Sequence, residues 1–68
     1  MNLSFNIDYR TNWGEAVYLT GDLPELGNGD RSKAIKLDLY GEQTWKTKIS
    51  LPDGTGDFTY SYFVRHEN

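Results

Sequence analysis

The sequence predicts an all-β fold, an antiparallel β-sandwich of the immunoglobulin-like kind, and three observations carry that reading. Apolar residues recur at every second position through most of the chain, and no segment shows the 3.6-residue recurrence of an amphipathic helix. The alternating segments are short and separated by turn-forming glycine, asparagine and proline at regular intervals, which suits a sandwich or open barrel.

The first strand is the clearest. Leu3, Phe5, Ile7 and Tyr9 alternate with Asn2, Ser4, Asn6, Asp8 and Arg10, as one buried and one wet face require. Thr11-Asn12-Trp13-Gly14 is the next turn, with Gly14 free to take a positive φ. A second strand runs from Ala16 to Thr20, mostly β-branched or aromatic. Gly21 to Lys33 is too long for a hairpin, so it should either cross between sheets or form a shaped surface loop. Ile35, Leu37 and Leu39 mark a third strand, and Tyr40-Gly41-Glu42-Gln43 a turn. Trp45, Thr47, Ile49 and Leu51 alternate with Lys46, Lys48 and Ser50 in a fourth strand. Pro52 to Asp57 forms a turn, and Phe58, Tyr60, Tyr62 and Val64 mark one face of a fifth strand. The expected core is Phe5, Ile7, Tyr18 or Leu19, Phe58 and Tyr60.

Composition narrows the function classes. The chain has 68 residues, the size of one small domain, and such a domain buries only about 60% of the surface its unfolded chain exposes. It has no cysteine and one histidine, which argues against disulfides, a structural zinc and any resident metal or cofactor. A formal net charge of −3 is opposite to the balance that phosphate neutralisation needs, so no nucleic-acid partner is expected. No apolar run approaches membrane-spanning length and none reads as a secretion signal, so no membrane association and a cytoplasmic location are expected.

Catalysis has little support. His66 lies near the chain end without a cysteine or serine partner, and the acidic residues are scattered over turns and solvent faces. Gly27-Asn28-Gly29-Asp30 is not followed by a helix, and Asp53-Gly54-Thr55-Gly56-Asp57 lacks the third acid and closing Glu of a calcium loop; both read as plain loops. The aromatic residues carry more. Trp13 lies in a polar turn, where an indole is either a lid folded over the core edge or an exposed platform. Tyr40 lies at another turn. Trp45 opens a strand as either a buried anchor or a ligand contact, the anchor being favoured. Pyranose faces are lined with C–H groups that pack on the negative face of an aromatic ring, and two rings splayed apart would suit a curved α-1,4-glucan.

Trp13-Gly14-Glu15-Ala16-Val17-Tyr18-Leu19-Thr20-Gly21, then Pro24-Glu25-Leu26-Gly27-Asn28, then Ala34 to Leu37, Trp45, Leu51-Pro52-Asp53-Gly54 and Phe58-Thr59-Tyr60 follow one another in a specific order. That order resembles the starch-binding domain, family 20 of the carbohydrate-binding modules, over essentially the whole chain, residues 1–68. The resemblance implies a non-catalytic antiparallel β-sandwich with two starch sites. Trp13 matches an aromatic of the second site, Tyr40 is the candidate to complete it, and Asn12 and Glu15 are nearby polar groups for sugar hydroxyls. Trp45 matches a tryptophan that opens the next strand.

The first site looks emptied. Its tryptophan falls on Gly29, its Glu and Lys on Thr59 and Ser61, and a further tryptophan would lie beyond Asn68. The family fold has about seven or eight strands in roughly a hundred residues. The five strands read here therefore imply a module missing its C-terminal strands, whose unpaired sheet edges invite weak self-association. The partners implied are α-glucans: starch, glycogen, maltodextrin and cyclodextrin. The implied parent is a 4-α-glucanotransferase of the amylomaltase type that the module holds on its polymer. The alternative is a structural or protein-interaction sandwich that has lost sugar binding, and the two differ in whether Trp13 is exposed.

Overall fold

In the computed structural model, which describes residues 1–67, the alternating segments become two three-stranded antiparallel sheets. β1 (Asn2–Asp8) pairs with β5 (Thr44–Ser50) along its whole length, from Asn2 opposite Ser50 to Asp8 opposite Thr44. β4 (Asp38–Tyr40) lies on the far side of β5. The second sheet places β2 (Glu15–Gly21) between β3 (Ile35–Lys36) and β6 (Tyr60–His66). The all-β sandwich is as expected; the strand count is not.

The third segment holds two strands rather than one. Ile35–Lys36 pairs with β2 in one sheet and Asp38–Tyr40 with β5 in the other. Leu37 is the corner between them: its N–H donates to the Val17 carbonyl at 3.0 Å and its side chain is buried. The chain thus changes sheets here, and not through the long Gly21–Lys33 connection. That connection leaves β2 and returns to the strand beside it, so it is the shaped surface loop. Two short 3₁₀ turns, Pro24–Leu26 and Arg31–Lys33, stiffen it, and Leu26 plugs into the core. Gly27, at φ 90°, sits where a Cβ would lie 2.9 Å from the Lys33 carbonyl oxygen, so the loop needs glycine there.

Phe5, Val17, Leu19, Leu26, Leu37, Trp45 and Leu51 are buried between the sheets and their loops. Tyr18 and Leu19 are both buried although they point to opposite faces of β2. Leu19 enters the core. Tyr18 lies on the outer face under the Arg65 guanidinium, 4.5 Å from its ring centroid, and stacks on Phe63. Tyr60 was expected in the core and is instead half-exposed, because β6 is an edge strand and only Phe5 and its own neighbours Phe58 and Tyr62 flank the ring.

The registers set what shares an end. Tyr40 pairs with Thr44, which pairs with Asp8, and Glu15 pairs with His66. The turn carrying Trp13 leaves Asp8 and enters Glu15, so it joins the two sheets at that end. Gly21, paired with Tyr60, marks the opposite end of the second sheet.

Candidate functional site

The Trp13 turn is a braced structure. The Glu15 N–H donates to the Asn12 carbonyl at 3.1 Å, and the Asn12 N–H donates back to the Glu15 Oε1 at 2.6 Å. Gly14 takes φ 87°, a conformation an L side chain would strain, and its carbonyl accepts the Glu67 N–H at 2.6 Å. The other Glu15 oxygen lies 3.5 Å from His66 Nε2. Held at both ends, the turn projects the indole away from the protein, and Trp13 is 92% exposed. The ring is not a lid over the core.

Tyr40 ends β4 and is also exposed, with the Lys46 ammonium 5.3 Å from its ring centroid. That cation lies over one face and leaves the other for a ligand. Neither Trp13 nor Tyr40 packs on another aromatic ring among the described residues. Their supports are linked through Tyr9 and Trp45. The Tyr9 N–H donates to the Gln43 carbonyl at 2.8 Å, tying the first turn to the Tyr40–Gln43 turn. Trp45 Nε1 donates to the Tyr9 carbonyl at 3.1 Å from beneath.

Two expected sugar contacts thus have different work. Trp45 is only 4% exposed and offers no face to a ligand; its indole fills the core between Ile7 and Leu39 and holds up Tyr9. Glu15 accepts the Asn12 N–H inside the turn through Oε1 and turns Oε2 toward His66 of β6, so it builds the platform, while the exposed Asn12 side chain is free to meet a hydroxyl. Sequence reasoning missed three neighbours. Tyr9 extends the apolar row of β1 but lies past its end, half-exposed, and its position beyond Asp8 was the available signal. Asp8 and Thr44, joined by a 3.1 Å hydrogen bond on the solvent face, supply polar groups beside Tyr40.

At the opposite end, Gly29 takes φ 78°, and a Cβ built there would meet nothing within 4 Å. Its N–H donates to the Gly21 carbonyl at 2.6 Å. Gly29, Asp22, Arg31, Thr59, Tyr60 and Ser61 border an open depression of about 450 Å³. The Thr59 N–H and hydroxyl both donate to the Asp22 carboxylate, so these groups satisfy one another. The half-exposed Tyr60 is the aromatic ring on its rim, and no tryptophan stands there among the described residues.

Among the described residues, no group of three or more His, Asp or Glu side chains could hold a metal, and no buried side-chain polar atom lacks a partner. No helix among the described residues is long and apolar enough to cross a membrane. Among the described residues the His66 side chain meets Glu15, a pair without a nucleophile.

The starch binding domain family model matches residues 1–68. Among curated proteins, the chain is 42% identical over 59 residues to an alpha-amylase of Streptomyces violaceus, covering 87% of this chain and 10% of that protein. It is 39% identical over 69 residues to a glucan 1,4-alpha-maltotetraohydrolase of Roseateles saccharophilus, covering 98% of this chain and 12% of that one. A cyclomaltodextrin glucanotransferase of Thermoanaerobacterium thermosulfurigenes is 49% identical over 49 residues, 66% of this chain and 7% of its own length. The chain thus spans about a tenth of the curated relatives it matches. No solved structure matches it significantly.

Proposed function

The chain belongs to the starch-binding domain family, and from that premise we propose that it binds α-glucan without catalysing its turnover, by stacking sugar rings on Trp13 and Tyr40. The observation that carries the reading is the 92% exposed Trp13 indole on a braced turn, at the same end of the sandwich as Tyr40. An exposed ring of that size on a braced turn offers its face to the C–H groups of a sugar. A sugar lying on Trp13 and the open face of Tyr40 has Asn12, Asp8 and Thr44 within the same surface for its hydroxyls. Starch, glycogen, maltodextrins and cyclodextrin all present the required C–H faces.

The competing reading, a structural sandwich without sugar binding, asks for Trp13 folded on the core, and its exposure argues against that. One two-ring platform is weak, with Kd on the order of 0.1–1 mM, or roughly 4–5.5 kcal/mol. Such a module works by holding a fused enzyme near its polymer, where effective concentration replaces affinity. The relatives named above support a partner acting on α-glucan; within that class we place a 4-α-glucanotransferase of the amylomaltase type. Weak self-association through unpaired sheet edges would add a second platform.

NMR titration with β-cyclodextrin and maltoheptaose tests the reading. The Trp13 indole N–H and the Tyr40 ring should shift together and saturate in the stated range. An unmoved Trp13 at saturating ligand overturns it.

A further inference from the structure

Tyr40 ends β4 opposite Thr44, and Thr44 stands opposite Asp8. Two residues further into the sheet, Asp38, Lys46 and Asn6 face one another in the same way. Residues opposite one another in a ladder share a face, and so do residues two apart, so all of these side chains stand on the outer face of the first sheet. Lys46 is thus the diagonal neighbour of Tyr40 rather than its direct partner, and a long side chain spans that diagonal. Its ammonium lies 5.3 Å from the Tyr40 ring centroid. The residue directly opposite Lys46 is acidic. Even so, among the described residues no carboxylate comes within 4.0 Å of the ammonium and no hydrogen bond holds it. The ring is what places the lysine head.

The origin of Lys46 decides which face of the ring it covers. It starts inside β5 and reaches toward the strand end, so it lies against the face of Tyr40 turned to the middle of the sheet. The uncovered face looks to the end of the sandwich. There the Tyr9 N–H, bonded to the Gln43 carbonyl, joins the Tyr40–Gln43 turn to the segment carrying Trp13. We propose that Lys46 is a specificity-determining residue of this platform, confining a glucan to the Tyr40 face that looks toward the Trp13 end. This preference rests on the two-ring reading above, because it is a glucan curved enough to touch both rings that keeps all of its stacking. A chain running straight along the outer face of the sheet meets the lysine instead of the ring. The cation also restrains an exposed phenol before the sugar arrives, which lowers the ordering cost of binding. A short sugar stacked on one ring alone gains least from either effect.

NMR separates this role from the reading beneath it. In the sugar-free protein the Tyr40 ring current should shift the Lys46 Hε protons upfield. They should stay there at saturating β-cyclodextrin while the Tyr40 ring resonances move. Hε protons that return to ordinary lysine values on binding would mean that sugar displaces the cation, and that overturns the proposal. Lys46→Ala should weaken β-cyclodextrin about two- to fivefold, the size of an exposed cation–π contact, and leave maltotriose as it was or slightly tighter. The ratio of the two affinities should therefore fall about twofold or more. Lys46→Arg, whose guanidinium also stacks on a ring, should restore it. The melting midpoint should move little in both variants, since the lysine is exposed. A ratio that survives Lys46→Ala, or is lost equally in Lys46→Arg, overturns the role of Lys46 while Trp13 and Tyr40 still respond to sugar. Should neither ring respond in the wild type, the two-ring reading falls and this role with it.

Discussion

At the Trp13 turn and at the Gly29 loop the sandwich presents two shaped surfaces, at opposite ends of β2, and they are braced alike. Glu67 and Asn12 clamp the first through the backbone of Gly14 and Glu15. Gly21 holds the Gly29 N–H at the second, and Asp22 is tied to Thr59. What differs is what stands on the brace: an indole almost wholly in solvent at one, no side chain at the other. On the proposed reading the scaffold does not decide where sugar stacks. One ring on a supported loop does, and that separates the cost of losing support from the cost of losing the ring.

The largest effect should come from the support. Trp45→Ala removes a buried indole and leaves the Tyr9 carbonyl without its donor. It should cost about 3–5 kcal/mol, comparable with the whole stability of a small domain, and leave the chain unfolded by circular dichroism at 25 °C. A folded Trp45→Ala protein with intact binding would mean that the Tyr9 and Tyr40 turns do not depend on that anchor. Trp13→Ala is the converse. It should weaken cyclodextrin binding about tenfold or more, equivalent to about 1.4 kcal/mol, while the thermal midpoint stays put because the ring packs on nothing. Calorimetric titration and a melting curve on the same sample check both halves.

Smaller changes sharpen the contrast. Tyr40→Ala should weaken binding several-fold, about 1 kcal/mol, less than Trp13→Ala because Lys46 already covers one face. Gly29→Trp sets an indole at the other end, in the depression that Tyr60 borders. Space exists for its Cβ, and the left-handed backbone should cost about 1–2 kcal/mol of stability. Tyr60 and Arg31 already border that depression, so the new ring has companions and a second, weaker binding event should appear beyond saturation of the Trp13 site. A stoichiometry that stays at one would show that Tyr60 does not serve as the second ring of a platform there.

The strands were legible because alternation reports which side a residue faces. Leu3, Phe5 and Ile7 declare β1, and Trp45, Thr47 and Ile49 declare β5. Alternation does not report which sheet a strand belongs to, so Ile35, Leu37 and Leu39 kept their rhythm straight through the corner at Leu37. Nor does it report edges, which is why Tyr60 reads as core and lies half in solvent. At the candidate site the two tryptophans are alike in composition and opposite in burial. Position in a turn left Trp13 undecided between lid and platform, and the Asn12–Glu15 bonds that push it outward are pair geometry that no single position encodes. Glu15 shows the same limit, since its neighbours rather than its type decide whether its oxygens are free.

Acid offers the finest separation of the two ends, because each has its own carboxylate with a depressed pKa. The Lys36 ammonium, then the Tyr18 hydroxyl, hold Glu67 below its ordinary 4.5, and the Glu67 N–H braces Gly14 beside Trp13. The Ser32 hydroxyl and N–H hold Asp30 below 3.8 beside Gly29. A carboxylate depressed on folding adds stability above its unfolded pKa and loses it as pH falls through the folded value. Both loops should therefore loosen only in acid below these ordinary values, and by little, since both groups are exposed. Glu67→Gln should flatten the acid limb of the melting midpoint by a few degrees at most and remove the acid loss of glucan affinity at Trp13. Asp30→Asn should flatten the limb similarly and leave that affinity loss as it was. Should wild-type affinity be the same at about pH 3 and pH 6, the brace at Glu67 does not reach the platform, and Trp13 stands on the Asn12–Glu15 bonds alone.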